Sequence, residues 1–309
     1  MGLFRTLLLW GSENEWLRNT APKIFFVRKA TSRFMPGEKL QAAIDAAKEL
    51  KTKRLATVFT HLGENLKDME EATRVTEHYL EVLKEVDAAG IDTEISLKLT
   101  QIGLDLDPEQ TYQNFRKITE AATKYNNFVW IDIEGSFYTQ VTVDFYERAK
   151  KEFPNVGLCL QAYLYRTDKD IDKLLALSPA IRLVKGAYNE PEDIAFPEKK
   201  AVDDNYLKLS RQMLAGAKKN GVRAAFATHD TKLISQIVES AKELEIPEEK
   251  LEFQMLYGIM PGEQARLVEK GHDVRILISY GEFWFPWYMR RLAERPANVL
   301  FVLKNLFAK

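Results

Sequence analysis

The chain has 309 residues, 46% of them hydrophobic, and its 44 basic and 45 acidic residues give a formal net charge of −1. A balance this close to neutral offers no general electrostatic attraction to nucleic acid, so we expect no nucleic acid among the partners. The only cysteine, Cys159, lies in an apolar run and cannot form an internal disulfide. Its presence fits a reducing compartment, and we expect a cytoplasmic protein.

The first predicted element is a helix opened by Pro36, with Leu40 and Ile44 on its apolar face. After it, short apolar runs alternate with amphipathic helical patterns. The eight runs predicted as strands are residues 55–59, 95–99, 128–134, 156–160, 181–184, 224–227, 251–256 and 274–278. An irregular insert at 189–202 follows the fifth run, and a long helix from about 282 to 307 closes the chain.

Eight strands alternating with helices predict an α/β protein with one parallel sheet, and the number eight favours closure into a single (βα)8 TIM-type barrel. The alternative is a doubly wound open sheet. That fold usually carries a glycine-rich phosphate turn after its first strand, and this sequence has none there. We therefore expect an N-terminal helical or irregular arm at residues 1–35, and a barrel domain at 36–309 whose final helix covers the carboxyl-end face.

Functional groups of such barrels gather at the carboxyl ends of the strands. Three charged residues lie within the strand runs themselves: Lys98, Asp132 and Arg182. A charge buried there must be paired or face the lumen, because an unpaired buried ion is costly. Lys98 and Asp132, on neighbouring strands, form the natural pair, and a purely structural ion pair is the alternative interpretation.

The final helix contains a second unusual cluster. Arg290, Arg291 and Glu294 lie beside several aromatic residues, and Arg290 and Glu294 share a helix face. Adjacent guanidinium groups can bind a carboxylate with two parallel hydrogen bonds. A surface ion-pair patch is the alternative.

These residues predict a barrel enzyme acting on a small anionic substrate and leave the reaction open. A Schiff-base lyase using Lys98 or Lys185 remains a candidate, and so does a barrel descendant without catalysis. The four histidines show no metal-ligand spacing, so no metal is expected.

Six segments resemble the proline dehydrogenase family, in that family's order and spacing, over essentially the whole chain from Pro36 onward. They are residues 96–101 (SLKLTQ), 160–166 (LQAYLYR), 182–188 (RLVKGAY), 227–230 (ATHD), 253–258 (FQMLYG) and 290–296 (RRLAERP). The similarity is to the monofunctional bacterial type. It implies a distorted barrel that holds FAD without a dinucleotide-binding fold.

The resemblance also implies a role for each matching residue. Lys98, Arg290 and Arg291 would bind the substrate carboxylate, Glu294 would brace the arginines, and Asp132 would pair with Lys98. Arg182 would lie near the reactive flavin nitrogen, and Tyr188 would help wall the substrate. The remaining flavin contacts implied by the resemblance are the Ile133 backbone, Gln161, Lys185, Gly186, Ala187, Thr228, His229 and Gln254.

The implied reaction is oxidation of L-proline to 1-pyrroline-5-carboxylate by hydride transfer to FAD. Electrons would then pass to a membrane quinone, which implies peripheral contact at the inner face of the membrane. One position departs from the family pattern: Leu277 stands where a tyrosine is usual near the proline ring. We expect proline to remain a substrate, and selectivity against hydroxyproline is left open.

Overall fold

The computed structural model describes residues 14, 20, 31–63, 66–285 and 287–289. Its eight strands are β1 (Ala56–His61), β2 (Thr93–Lys98), β3 (Val129–Asp132), β4 (Val156–Gln161), β5 (Ala180–Val184), β6 (Arg223–Ala227), β7 (Glu252–Leu256) and β8 (Asp273–Tyr280). The named helices are α1 (Leu40–Thr52), α2 (Met69–Ala89), α3 (Pro108–Lys124), α4 (Ser136–Glu152), α5 (Thr167–Leu174), α6 (Lys199–Asn220), α7 (Thr231–Glu243) and α8 (Pro261–Glu269). Most of the predicted arm and final helix, with Arg290, Arg291 and Glu294, lies outside the described residues.

The strands form a closed parallel barrel in chain order, β1 to β8. Closure is made by β1 against β8, in a register that pairs Val58 with Leu277 and His61 with Tyr280. The prediction of a single eight-stranded α/β barrel is therefore confirmed. All eight carboxyl ends point to the same face of the molecule.

Short polar caps fix where the helices begin. The Asp68 carboxylate accepts a hydrogen bond from the Glu71 backbone N–H at the start of α2. Asp107, followed by proline at the first helical position, caps α3 in the same way, and Asp230 caps α7. These carboxylates satisfy backbone N–H groups that have no partner inside the helix.

The main hydrophobic core lies between the barrel and its helices, and its large buried side chains include Phe59, Tyr79 and Tyr206. A second cluster, containing Val58, Trp130 and partly buried Leu277, belongs to the alternate strand positions that face the lumen. Strand β4 makes room for the indole with Gly157, because a Cβ there would lie 2.5 Å from the Trp130 ring.

The amino-terminal half of the lumen holds a network of charges. Arg223 binds Glu252 with two hydrogen bonds, of 2.8 and 3.1 Å, and contacts Glu94 at 2.8 Å. Arg275 lies within 4 Å of the same two glutamates. Glu94 also accepts a hydrogen bond from the Trp130 indole N–H at 2.7 Å. These groups form a buried polar floor beneath the carboxyl-end site.

Candidate active site

The centre of the carboxyl-end site is an ion pair between Arg182 of β5 and Asp132 of β3. Arg182 is only 3% exposed, and its guanidinium also donates to Ser96 Oγ at 2.8 Å and to Gln254 Oε1 at 3.3 Å. It lies over the Trp130 ring, with Cζ 5.1 Å from the ring centroid. Strands β2, β3 and β7 thus hold in place the guanidinium of a residue on β5.

The charge on Arg182 is maintained by its neighbours. Burial is the largest single influence and would lower the pKa of Arg182, but Asp132, Cys159 and Glu94 together outweigh it, and the pKa is raised above its ordinary value. A fixed cation in a water-poor lumen exerts a stronger field than one in solvent. The arrangement can therefore stabilise negative charge that develops nearby.

Lys98 ends β2 directly beside the end of β3, where it is the register partner of Asp132. The backbone N–H of Lys98 donates to Gln101 Oε1 at 3.0 Å, in the single 3-10 turn that follows the strand. The predicted neighbours are therefore adjacent. The Asp132–Arg182 ion pair, between residues 50 positions apart in sequence, was not part of the sequence-based prediction.

The predicted turn at 185–187 leaves the end of β5. Lys185 Nζ forms ion pairs with Asp203 and with Asp230, the latter at 3.0 Å. Gly186 has a φ of +120°, and a Cβ on it would lie 2.3 Å from the Tyr163 ring. Only glycine allows this backbone to lie flat against the tyrosine. Ala187 and Tyr188 follow and are partly exposed.

The other predicted cofactor residues lie at neighbouring strand ends. Gln161, 2% exposed, ends β4, and its Oε1 has no hydrogen-bond partner among the described residues. His229 follows β6, and its Nε2 accepts a hydrogen bond from the Leu256 backbone N–H at 2.9 Å. The hydroxyl of the preceding residue, Thr228, accepts one from the Asp230 N–H.

Two more predicted positions show different environments. Ile133, directly after β3, is 7% exposed. Gln254 is enclosed in the lumen: its Oε1 faces Arg182, and its Nε2 donates to Glu252 at 2.7 Å. Gln254 therefore links the candidate site to the charged floor.

Leu277 lies partly buried in the lumen cluster with Val58 and Trp130. Two residues further along β8, Ser279 is 1% exposed, and its hydroxyl has no partner among the described residues. Position 277 thus contributes an apolar wall on the lumen side of the site.

Sequence reasoning missed Ser96 and Trp130, which both contact Arg182. The signal for Ser96 was present, because residues two apart on a strand face the same side and Ser96 is two before Lys98. Trp130 precedes Asp132 by the same interval.

The fold and site define a (βα)8-barrel enzyme with a buried guanidinium–carboxylate pair at the carboxyl ends of its strands. The family model for proline dehydrogenase matches residues 43–304. The chain belongs to this family, and it is an oxidoreductase.

Its relatives include Proline dehydrogenase 2 of Bacillus subtilis strain 168, 40% identical over 299 residues that cover 97% of this chain and 96% of that protein. The Proline dehydrogenase of Deinococcus radiodurans is 35% identical, with 89% of each chain covered. Among solved structures, proline utilization A from Bdellovibrio bacteriovorus inactivated by N-propargylglycine has a TM-score of 0.80 at 22% identity. That match covers 94% of this chain and 38% of that one, and it supports the fold alone.

Proposed function

We propose that the protein uses FAD to oxidise L-proline to 1-pyrroline-5-carboxylate and passes the electrons to a quinone. The observation that carries the proposal is the buried Arg182 cation, held by Asp132 and Ser96 at the carboxyl ends of the strands. It lies in a chain whose family match spans residues 43–304.

The residues fit a flavin. Gln161 Oε1 is a buried acceptor without a partner among the described residues, as a group awaiting a ligand donor would be. Gly186 keeps the turn after β5 free of side-chain bulk. The residues proposed to hold FAD are Ile133 through its backbone, Gln161, Arg182, Lys185, Gly186, Ala187, Thr228, His229 and Gln254. When bound, the isoalloxazine accepts the hydride equivalent that proline loses.

The protein's own contribution is to position the substrate and to supply an electrostatic field. Lys98, beside Asp132, is proposed to bind the proline carboxylate together with Arg290 and Arg291, with Glu294 bracing the arginines. Tyr188 and Leu277 are proposed to wall the ring. A carboxylate held by several cations fixes the reacting carbon in one orientation, which is where the rate gain from positioning arises.

The Schiff-base alternative has less support. Lys185 is engaged by two carboxylates, those of Asp203 and Asp230. A lysine nucleophile is instead activated by an apolar pocket or by another cation.

The quinone acceptor and contact with the membrane remain part of the proposal. None of the described helices is long and apolar enough to cross a membrane. Flotation of the protein with quinone-containing vesicles would test the proposed peripheral contact with the membrane.

The test of the main proposal is the visible spectrum of the purified protein. We expect flavin bands that bleach when L-proline is added without oxygen, and a product two mass units lighter than proline. L-Hydroxyproline and D-proline serve as comparison substrates. A colourless protein that binds no added FAD, or borohydride trapping of a substrate on Lys98 or Lys185, would overturn the proposal.

A further inference from the structure

The segment that joins β5 to α6, residues 185–198, is tied to the start of α4 by a carboxylate. Glu190 Oε1 accepts a hydrogen bond from the Ser136 backbone N–H at 2.7 Å, and Oε2 accepts one from Ser136 Oγ. Gly135, at the N-cap position of α4, has no side chain to supply that cap. A carboxylate is favoured there by the free N–H groups and the helix dipole.

Tyr163, in the loop after β4, contacts both Glu190 and the turn at 185–188. Its hydroxyl donates to Glu190 Oε1 at 3.5 Å and lies within hydrogen-bonding reach of the Tyr188 backbone. Its backbone N–H donates to the Lys185 carbonyl at 2.8 Å. Its ring packs flat on Gly186. Tyr163 is 7% exposed, so these contacts are shielded from water.

We propose that Glu190 is a positioning residue of the active site. By bridging Ser136 and Tyr163, it fixes the 185–188 turn and places the Tyr188 ring at the barrel mouth. The bridge joins the loops that follow β3, β4 and β5. The inference rests on the proposed function, in which Tyr188 walls the proline ring, and it adds a residue that makes no substrate contact itself.

The kinetic test compares Glu190→Ala with Glu190→Gln. Without the bridge, Tyr188 samples positions that do not wall the substrate, so we expect KM for proline to rise about ten-fold in the alanine variant while kcat changes less than about two-fold. Glutamine keeps an acceptor oxygen and should restore part of the loss. Glu192→Ala removes the same charge from the same segment and should leave KM unchanged.

A second measurement does not depend on turnover. Glu190→Ala should speed proteolytic cleavage within residues 185–198, while Glu192→Ala should not. A double-mutant cycle with Tyr163→Phe should show that the two changes are not additive. Equal behaviour of the 190 and 192 variants in kinetics and proteolysis would overturn the inference. If the unaltered protein shows no proline-dependent flavin bleaching, the proposed function is refuted instead. The proteolysis result then tests the Glu190 bridge by itself.

Discussion

At the scale of single residues, the ion pair between Asp132 and Arg182 is the contact whose loss we expect to reduce stability most. Arg182 is 3% exposed and Asp132 20%, so removing the carboxylate leaves a buried cation without its anion. We expect Asp132→Asn to lower the free energy of unfolding by about 3 kcal/mol and to reduce turnover. Urea denaturation at several FAD concentrations would measure the stability change, because extrapolation to zero FAD removes the RT ln(1 + [FAD]/Kd) that bound cofactor adds.

The control is an ion pair on the surface. Lys200 and Asp204 contact each other at 2.6 Å, with side chains 84% and 65% exposed. Asp204→Asn should leave the free energy of unfolding unchanged within the error of the measurement, because an exposed ion pair is screened by water. Equal losses in the two variants would show that burial of Arg182 does not determine the cost.

Leu277 gives the prediction on selectivity. Its side chain lies in the lumen cluster with Val58 and Trp130, so a larger phenol there would fill space beside the proposed substrate ring. We expect Leu277→Tyr to keep proline turnover and to lower the ratio of kcat/KM for hydroxyproline over proline about ten-fold. Steady-state assays with a dye acceptor would measure both. A ratio unchanged by the substitution would place the substrate ring away from position 277.

The residue-scale contacts divide into those that a sequence can predict and those that it cannot. Arg182 was identifiable from the sequence because a charged residue inside an apolar strand is costly to bury unless it has a partner. Its partner was not, because β3 and β5 are not neighbours in the barrel and only lumen geometry brings Asp132 to Arg182. The bridge through Glu190 was equally hidden, since 54 positions separate it from Ser136.

At the scale of elements, the turn after β5 depends on a single glycine. Gly186→Ala would combine a φ of +120° with a Cβ 2.3 Å from the Tyr163 ring. We expect this variant to lose both stability and FAD retention, because the turn and Tyr163 must move apart. Thermal unfolding and the flavin content after gel filtration would report the two effects.

A substitution at Gly221 tests the backbone strain without the steric clash that Gly186→Ala introduces. It ends α6 with a φ of +69°, and a Cβ there would meet nothing within 4 Å. Gly221→Ala should therefore cost about 1 kcal/mol through backbone strain alone and leave FAD retention unchanged. Loss of flavin from this variant would mean that retention follows general stability and not the turn.

Prediction of elements succeeded where local signals were strong. Asp68 and Asp107 cap the helices that begin at Met69 and Pro108, and an aspartate at the N-cap is a signal that a sequence displays directly. Helix α8 has a weak sequence signal because it has nine residues and buries only Gln264 and Leu267, too few for an apolar period to show. The predicted insert at 189–202 was too long, since α6 begins at Lys199 with polar residues on its first turn.

At the scale of the whole molecule, closure of the barrel follows from the strand count, but the charged floor inside it does not. Glu94, Glu252 and Arg275 lie near the amino-terminal ends of separate strands, where their charges resemble ordinary solvent-facing ends in the sequence. Closure points them inward together. Burial then raises the pKa of Glu94, although Arg275 and Arg223 oppose the shift.

Stability should also depend on pH through His61, at the end of β1. Burial, and then the charge of His78, lowers the pKa of His61 to about 4 from the ordinary 6.5. The two rings lie 4.5 Å apart, and His78, whose pKa burial also lowers, shares a hydrogen bond with the Tyr280 hydroxyl at 2.8 Å. Between pH 6.5 and 4 the unfolded chain therefore binds a proton at His61 that the folded chain excludes. The stability that the neutral, buried His61 contributes is fully present above pH 6.5 and is lost as the pH falls from 6.5 to 4.

The measurement compares the unaltered protein with His61→Phe, which retains a planar ring in the contact with Tyr280 and cannot titrate. Urea unfolding at several values between pH 4.5 and 7.5 gives the difference in stability. We expect the unaltered protein to lose stability relative to His61→Phe as the pH falls, by up to about 1.4 kcal/mol per pH unit. Glu94, whose raised pKa acts in the opposite direction, is common to both proteins and cancels in the comparison. Parallel curves would show that His61 takes up its proton equally well in the folded state, and the lowered pKa would be wrong.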